Sequence, residues 1–265
     1  MARRSAWTVL AVGASVLAAR AGVSWWRAKD VGPVQRGWSV AEARGCFGCH
    51  GPGGVTGRPD PGGGVGGVPA FSRDELEAYA RNDEEIREWI LDGMPRRLRA
   101  EAEPSEPGEG PLAPMPAWRD VLAPGEVDDL VAYIKAVGDV DRPADEEAEG
   151  GREAAERLGC FGCHGPQGRG SLPNPRSLKG YIPAWDGPDF EDLARGDEEI
   201  AEWILDGRPR RLQADPLARY FLDRQVIQMP AYRGRITTEE VQGIARYIRW
   251  LRQERPERPI PGAEP

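Results

Sequence analysis

The sequence predicts an all-α protein made of two tandem copies of one small domain, and three observations lead to this prediction. The pentapeptide Cys-Phe-Gly-Cys-His occurs twice, starting at Cys46 and Cys160, a spacing of 114 residues that other landmarks share. Apolar residues recur every three or four positions in several segments, as they do in amphipathic helices. No segment alternates apolar and polar residues in the way that predicts a strand.

The first 30 residues predict a signal peptide or a membrane anchor. Arg3 and Arg4 precede an uncharged stretch from Ser5 to Ala19, which is the pattern of an export signal. Cleavage at Ala19–Ala21 would release the protein. If the segment stays uncleaved, a helix from Ser5 to Trp26 would be about 33 Å long, enough to cross a hydrocarbon core of about 30 Å. Both alternatives export the rest of the chain.

The repeat divides the remaining chain into domains. Residues 31–138 are predicted to form the first domain and residues 151–255 the second, followed by a tail at 256–265. Between the domains, residues 139–150 contain six acidic side chains and one basic one, which predicts an acidic, solvated linker. The landmarks repeated at the spacing of 114 residues include Glu88–Gly93 with Glu202–Gly207, Met115–Arg119 with Met229–Arg233, and Tyr133 with Tyr247.

Helical signals follow one order in each copy. In the first copy, Ser39 and Glu42 are spaced as a capping box for a helix before the motif. The stretch from Gly51 to Pro69 is too rich in Gly and Pro for a strand. A helix starting near Ser72 follows, then one from Asp83 that ends at Gly93. The last helix carries apolar residues on one face, namely Val127, Leu130, Val131 and Ile134.

The repeated motif predicts the cofactor. C-x-x-C-H is the attachment motif of c-type haem, in which two thiols bond to the vinyl groups and the histidine binds iron. Zinc would need four ligands at each site, whereas each motif offers three, and a redox dithiol needs no adjacent histidine. The two motifs use every Cys and His of the chain. Two covalently bound haem c groups are therefore predicted, on Cys46, Cys49 and His50, and on Cys160, Cys163 and His164.

The second axial ligand of each iron is predicted by elimination. The chain has no third histidine and only four methionines. Met1 lies in the export segment, and the counterpart of Met94 is Arg208. Met115 and Met229 occupy equivalent positions, each 65 residues after its motif histidine and each followed by Pro-Ala. Packing in the core is the alternative role for methionine, but the paired positions favour iron ligation. The predicted iron ligands are His50 with Met115 and His164 with Met229.

The order of motif, Gly/Pro loop, helices, Met-Pro and a last helix bearing Tyr133 or Tyr247 resembles class I cytochromes c. The duplication is similar to that of tandem dihaem cytochromes c and covers roughly residues 36–138 and 150–252. The resemblance implies a helical shell around each haem, with first and last helices that cross near these tyrosines.

The resemblance also implies a proline carbonyl that accepts the second N–H of each haem-binding histidine. The aligned prolines in the loop suggest Pro59 or Pro61 and Pro173 or Pro175 for this role, with simple stiffening of the loop as the alternative. The segments before each Met, 97–114 and 211–228, exceed a minimal domain and are expected to cover the haem edge or to dock a partner.

Two further pairs of features recur beside the predicted sites. Arg96-Arg97 and Arg210-Arg211 suggest cations that neutralise haem propionates, although basic residues also suit a helix C-terminus. Trp89 and Trp203 are expected in the core rather than in a redox relay.

These features predict an electron carrier rather than an enzyme. The expected place is the periplasmic side of a bacterial inner membrane, anchored by the N-terminal helix or soluble if the helix is cleaved. The expected partners are redox proteins: a quinol-oxidising complex or periplasmic dehydrogenase as donor and a terminal oxidase or reductase as acceptor, with the chain free or part of a membrane respiratory complex. The alternative is a dihaem peroxidase-type enzyme, which would need an open axial position and acid–base groups beside it. The net charge of −8 argues against nucleic acid as a partner.

Overall fold

The computed structural model describes residue 22 and residues 31–59, 67–101 and 114–255. Its ordered elements are helical, and within these ranges the only β-type pairings are two isolated bridges, Arg58 to Val68 and Pro173 to Tyr181. The all-α prediction is therefore confirmed. The predicted signal or anchor, apart from Gly22, and the tail at 256–265 lie outside the described residues. Among the helices that are described, none combines the length and the apolar character needed to cross a bilayer.

The helices of the two domains follow one another in matching order. In the first domain they are α1 (Pro33–Ala43), α2 (Phe47–His50), α3 (Arg73–Tyr79), α4 (Asp83–Asp92), α5 (Arg96–Glu101) and α6 (Pro124–Val137). In the second domain they are α7 (Glu146–Arg157), α8 (Phe161–His164), α9 (Phe190–Leu193), α10 (Asp197–Asp206), α11 (Arg210–Ala214), α12 (Pro216–Arg224) and α13 (Thr238–Arg249), which continues as a π-turn over Trp250–Glu254. Short 3-10 turns, Pro52–Gly54 and Pro166–Gly168, follow α2 and α8.

Helix α1 begins earlier than the sequence suggests. Its first residue is Pro33, which suits this position because proline lacks the N–H that would be unpaired there. Ser39 therefore lies inside the helix, and its hydroxyl donates to the carbonyl of Gln35 at 3.0 Å. The predicted capping box at Ser39 and Glu42 is wrong.

Helices α4 and α10 begin and end where the sequence predicts. Asn82 caps α4, since its side chain accepts from the N–H of Glu85 at 2.9 Å. Both helices stop at a glycine in the left-handed conformation, Gly93 with φ of 74° and Gly207 with φ of 76°. Glycine takes this conformation without a steric penalty, so it terminates the helix cleanly.

The first and last helices of each domain cross at glycines. A Cβ on Gly37 of α1 would lie 1.9 Å from the carbonyl oxygen of Asp129 on α6. At the equivalent place in the second domain, a Cβ on Gly151 of α7 would lie 1.8 Å from the carbonyl oxygen of Gly243 on α13. The helices approach this closely only because the side chain is missing. Tyr133 touches the first crossing, as the class I resemblance implies.

Each domain has its own apolar core. Both cores combine the inward face of the helix after the loop with that of the last helix, which is how short amphipathic helices gain stability. The first is formed by residues that include Ile86, Ile90, Val127, Leu130, Val131, Tyr133 and Ile134. The second includes Ile200, Ile204, Val241, Ile244, Tyr247, Ile248 and Leu251.

The acidic segment between the domains is solvated along only part of its length. Val140 and Asp141 are buried, with 4% and 8% of their surface exposed. Helix α7 starts at Glu146, so the Gly150-Gly151 pair lies inside a helix. The expectation of a solvated linker is therefore wrong for Val140 and Asp141, whereas Arg142, Glu146 and Glu147 are exposed, because net charge along a chain does not reveal which charges find partners.

Candidate haem-binding sites

Each C-x-x-C-H motif forms a single helical turn that presents its three functional side chains together. In the second copy, the N–H of His164 bonds to the carbonyl of Cys160 at 3.0 Å, and the first copy has the same bond from His50 to Cys46. Positions i, i+3 and i+4 share one helix face, so both thiols and the imidazole point to one side. The four cysteines are free thiols, none of them in a disulfide.

In the second domain this face borders a mostly apolar cavity of about 620 Å³. Cys160, Cys163 and His164 line it, and Met229 lines it as well. The cavity therefore collects two thiols, an imidazole and a thioether, which are the donors that a c-type haem with His/Met ligation requires. The residues present fit the group that the motif predicts.

The haem-binding histidines are held by prolines other than those the sequence suggests. Nδ1 of His50 donates to the carbonyl of Pro69 at 2.8 Å, and Nδ1 of His164 donates to that of Pro183 at 3.3 Å. This bond fixes the tautomer and leaves Nε2 as the atom that can bind iron. The assignment to Pro59 or Pro61, and to Pro173 or Pro175, is wrong. Pro69 and Pro183 also obey the spacing of 114 residues, which is the signal that could have identified them.

Burial keeps the histidines in the form that binds metal. Burial lowers the pKa of His164 to about 4, against the opposing effect of its bond to Pro183, and burial also lowers the pKa of His50. Both imidazoles are therefore neutral at pH 7. Burial raises the pKa of the thiol of Cys160 to about 11 and raises that of Cys46. Cys46 and Cys160 are therefore protonated thiols at neutral pH.

The two predicted methionine ligands sit on equivalent backbone supports. A Cβ on Gly93 would lie 2.4 Å from the carbonyl oxygen of Met115, and one on Gly207 would lie 2.6 Å from that of Met229. Met115 packs against the first core and Met229 against the second. The glycine that ends each helix thus also makes room for the chain that carries the methionine.

Hydrogen bonds tie this chain to the preceding helix. The N–H of Trp118 donates to the carbonyl of Ile90 at 3.1 Å, and the N–H of Tyr232 donates to that of Ile204 at 3.0 Å. Carbonyls in the last turn of a helix have no partner within the helix, so these bonds complete α4 and α10 while they fix the methionine segments. Iron ligation by Met115 and Met229 remains a proposal that this geometry favours.

The recurring arginines pair with glutamates of the neighbouring helix. Arg97 bonds to Glu85 at 2.8 and 3.0 Å, and Arg211 bonds to Glu199 at 2.7 and 2.8 Å. These bidentate pairs anchor α5 and α11 to α4 and α10. Arg211 also lines the cavity of the second domain, but its charge is already matched by Glu199. The geometry gives these arginines a structural role and offers no support for the propionate hypothesis.

The tryptophans that follow each loop are oriented by a hydrogen bond. Nε1 of Trp89 donates to the carbonyl of Tyr79 at 3.0 Å, and Nε1 of Trp203 donates to that of Leu193 at 2.9 Å. Both indoles pack against the cores as expected, and Trp203 also lines the cavity.

An aromatic ring contacts each of the two histidines, and the sequence-based prediction did not include these contacts. The ring of Phe71 lies 4.7 Å from that of His50, and the ring of Trp185 lies 5.0 Å from that of His164. Each ring follows its proline by two residues and obeys the spacing of 114, so the repeat itself holds the signal.

The long segment before Met229 covers the cavity of the second domain. Helices α11 and α12 contribute Leu212, Leu217 and Phe221 to the lining. This agrees with the expectation that the segment covers the haem edge. In the first domain, residues 102–113 of the equivalent segment lie outside the described residues.

Comparison with known families agrees with this geometry. Residues 32–134 match the family model described as cytochrome c oxidase, cbb3-type, subunit III, and residues 148–252 match the model described as cytochrome c. No curated protein sequence is significantly similar to the chain. The chain is therefore a tandem dihaem cytochrome c, an electron-transfer haem protein whose two domains each carry one covalently bound haem c with its iron.

Proposed function

We propose that this chain carries electrons on the periplasmic side of a bacterial inner membrane. Its donor would be a quinol-oxidising complex or a periplasmic dehydrogenase, and its acceptor a terminal oxidase or reductase. The haem irons supply a one-electron change between the +2 and +3 states. The match of the first domain to an oxidase subunit family supports an oxidase as the acceptor and a place within a membrane respiratory complex.

The observation that carries this proposal is the common cavity of His164 and Met229. His164 and Met229 would hold the iron with one ligand each, which would leave no open position for a substrate and would let the oxidation state change without an exchange of ligands. His/Met ligation raises the reduction potential, which suits delivery of electrons to an oxidase or reductase. A peroxidase would instead need an open position and acid–base groups beside it.

The chain's own residues perform three tasks at such a site. The bond from Nδ1 of His164 to Pro183 orients the imidazole and directs Nε2 toward the cavity. The apolar lining would limit the access of water to a bound haem, and this would help to hold its potential high. The covering helices α11 and α12 limit access of small molecules to the metal.

Axial ligation is tested by replacing the methionines one at a time in the holoprotein. Met115→Ala and Met229→Ala should each convert one of the two haems to a high-spin form that binds carbon monoxide and has a lower potential. Met94→Ala is the matched control and should leave both haems low-spin. The ligand assignment would be wrong if Met229→Ala kept two low-spin haems.

The choice between carrier and enzyme rests on the wild-type protein. We expect two low-spin haems that react with neither carbon monoxide nor hydrogen peroxide and that exchange electrons with soluble donors. Turnover of peroxide at a high-spin haem would make the protein an enzyme of the peroxidase type.

The location is tested on the full chain expressed in bacteria that attach haem c. Intact mass of the purified protein shows whether the N-terminal segment is cleaved. An uncleaved chain should stay with the membrane after a high-salt wash and require detergent for release. Recovery of the holoprotein from the cytoplasm would contradict the proposed location.

A further inference from the structure

The segment that joins the domains is folded between them and carries buried charges. It runs from Asp139, where the last helix of the first domain has ended, to Asp145, which caps α7. Asp139 has a left-handed φ of 50°, a conformation that aspartate tolerates better than most residues. Because the segment turns back at this point, its next residues are directed into the protein, where Val140 and Asp141 are buried.

Asp141 binds two arginines of the second domain. Arg255, which follows the last helix, donates to its carboxylate at 3.1 Å. Arg169, in the loop after the haem motif, lies 3.9 Å from the same oxygen and donates to Asp186 at 3.1 Å. The side chains of Arg169 and Asp141 are only 6% and 7% exposed. Charges this deeply buried are stable only when paired, so the segment is committed to this place.

Asp139 forms a second set of contacts that reaches both domains. Its carboxylate lies 3.5 Å from Nη1 of Arg152 on α7, whose side chain is 3% exposed, and it also pairs with Arg142. From the first domain, Arg73 on α3 donates to the backbone carbonyls of Asp139 and, at 3.3 Å, of Val140. The segment is therefore held by arginines from the domain on each side of it.

The surfaces that meet between the domains lie close to the two haem motifs. The N–H of Ser171 donates to the side-chain oxygen of Gln35 on α1 at 3.0 Å, and this bond between the domains is buried. A cavity of about 390 Å³ lies at the same boundary. Its lining includes Pro52 and Gly53, just after His50, and Phe161 and Gly162, which lie between the cysteines of the second motif. Helix α6 of the first domain also contacts the turn Pro166–Gly168, so the first domain packs directly beside the motif to which the second haem is attached.

We propose that Asp139 and Asp141 form an ion-pair clamp that holds the two haem domains in one orientation and thereby sets the rate of electron transfer between the haems. The proposal rests on the function given above. The step is balanced: one electron leaves the ferrous iron of one domain and reduces the ferric iron of the other, with no proton transferred and no bond broken. Asp139 and Asp141 are positioning residues, since they act through the placement of the domains.

The buried ion pairs of the segment favour one orientation of the two domains. Arg152 and Arg169 also pair with Glu149 and Asp186 of the second domain, so the pair that depends on the segment is the one between Asp141 and Arg255. A second arrangement of the domains that moved the segment would separate Asp141 from Arg255, and a buried carboxylate without a partner has a large cost in free energy. The interface between the domains is therefore selected by the partners that the segment between them supplies.

The test compares the holoprotein with its Asp139→Asn/Asp141→Asn double variant. Small-angle scattering measures the radius of gyration. Exchange NMR on half-reduced samples measures the rate of electron exchange between the haems. The measurement is repeated at several dilutions, because only exchange within one molecule is independent of the protein concentration. Asp129→Asn is the matched control, because it removes a carboxylate that pairs with Arg36 at 2.7 Å inside the first domain.

We expect the double variant to have a larger radius of gyration and several-fold slower internal exchange, with haem spectra equal to those of the wild type. Asp129→Asn should change neither quantity. If the double variant does not fold, Arg73→Gln replaces it and should give the same two changes. The clamp is refuted if internal exchange is unchanged, whether or not the protein expands. Failure of the wild-type protein to accept electrons from any soluble donor would instead refute the proposed function, and that measurement is independent of the variants.

Discussion

The crossing of α7 and α13 allows a prediction with two adjacent glycines that should respond in opposite ways. Gly151 and Gly150 both lie inside α7. A Cβ on Gly151 would lie 1.8 Å from the carbonyl oxygen of Gly243 and 2.0 Å from its carbonyl carbon. A Cβ on Gly150 would meet nothing within 4 Å. Gly151→Ala should therefore destabilise the second domain, and Gly150→Ala should stabilise it.

The magnitude follows from the distances and from helix propensity. Ordinary contact begins at 3.4 Å, so Gly151→Ala requires α7 and α13 to separate by about 1.6 Å, an overpacking that costs about 3 kcal/mol or more because only backbone can yield. Replacing glycine by alanine inside a helix returns about 1 kcal/mol at either position. The expected net effects are a loss of about 2 kcal/mol for Gly151→Ala and a gain of about 1 kcal/mol for Gly150→Ala. For a domain of about 100 residues, they correspond to a fall of roughly 10 °C and a rise of roughly 5 °C in Tm.

The assay is urea unfolding of the holoprotein followed by far-UV circular dichroism and by the absorbance of the haems. Both variants carry the same alanine and the same change in helix propensity, so the difference between their unfolding free energies isolates the contact with Gly243. Equal midpoints for the two variants would refute the close crossing. An increase in stability for Gly151→Ala would refute it more strongly.

Two further predictions concern the second domain. Tyr247→Phe removes the hydroxyl that donates to the backbone carbonyl of Gln167 at 3.1 Å from a side chain with no exposed surface, and it should lower the free energy of unfolding by about 1 kcal/mol; unchanged urea midpoints would contradict this. Glu199→Gln breaks the bidentate pair with Arg211, whose hydrogen bonds lower the pKa of the Glu199 carboxyl from 4.5 to about 2. Because the folded-state pKa is depressed, the pair contributes stability that is fully present above about pH 4.5 and is lost as the pH falls toward 2. Urea midpoints measured from pH 7 to pH 3 should differ most between variant and wild type at pH 7 and converge in acid, and a constant difference would refute the assignment.

The repeat made much of the fold predictable. Helices α4 and α10 were predictable at both ends, since an acidic first turn and a terminal glycine are local signals. The start of α1 was not, because two helix-start signals compete there and proline at the first position prevails over Ser39. A polar residue that looks like a cap can equally well bond back to its own helix.

The groups that hold the haem-binding residues in place were less predictable than the haem-binding residues themselves. Several prolines in the loop could hold the histidine, and the choice of Pro69 and Pro183 depends on how a chain of 19 residues folds back over the imidazole. The role of Arg97 and Arg211 depends in the same way on Glu85 and Glu199, 12 residues earlier. The spacing of the repeat limits which residues can be the partners of these side chains, but it does not select one of them.

What the sequence determined by itself is the chemistry of attachment: two haems, each on a C-x-x-C-H turn, in two copies of a helical domain. Those features are local, because one turn of helix places two thiols and an imidazole on one face whatever surrounds it. Only the tertiary structure decided which carbonyl orients each histidine, which glycines let helices cross and how the acidic segment is buried between the domains. Each of these depends on groups far apart in the chain, whose pairing is selected by packing and by the cost of leaving buried charges unpaired.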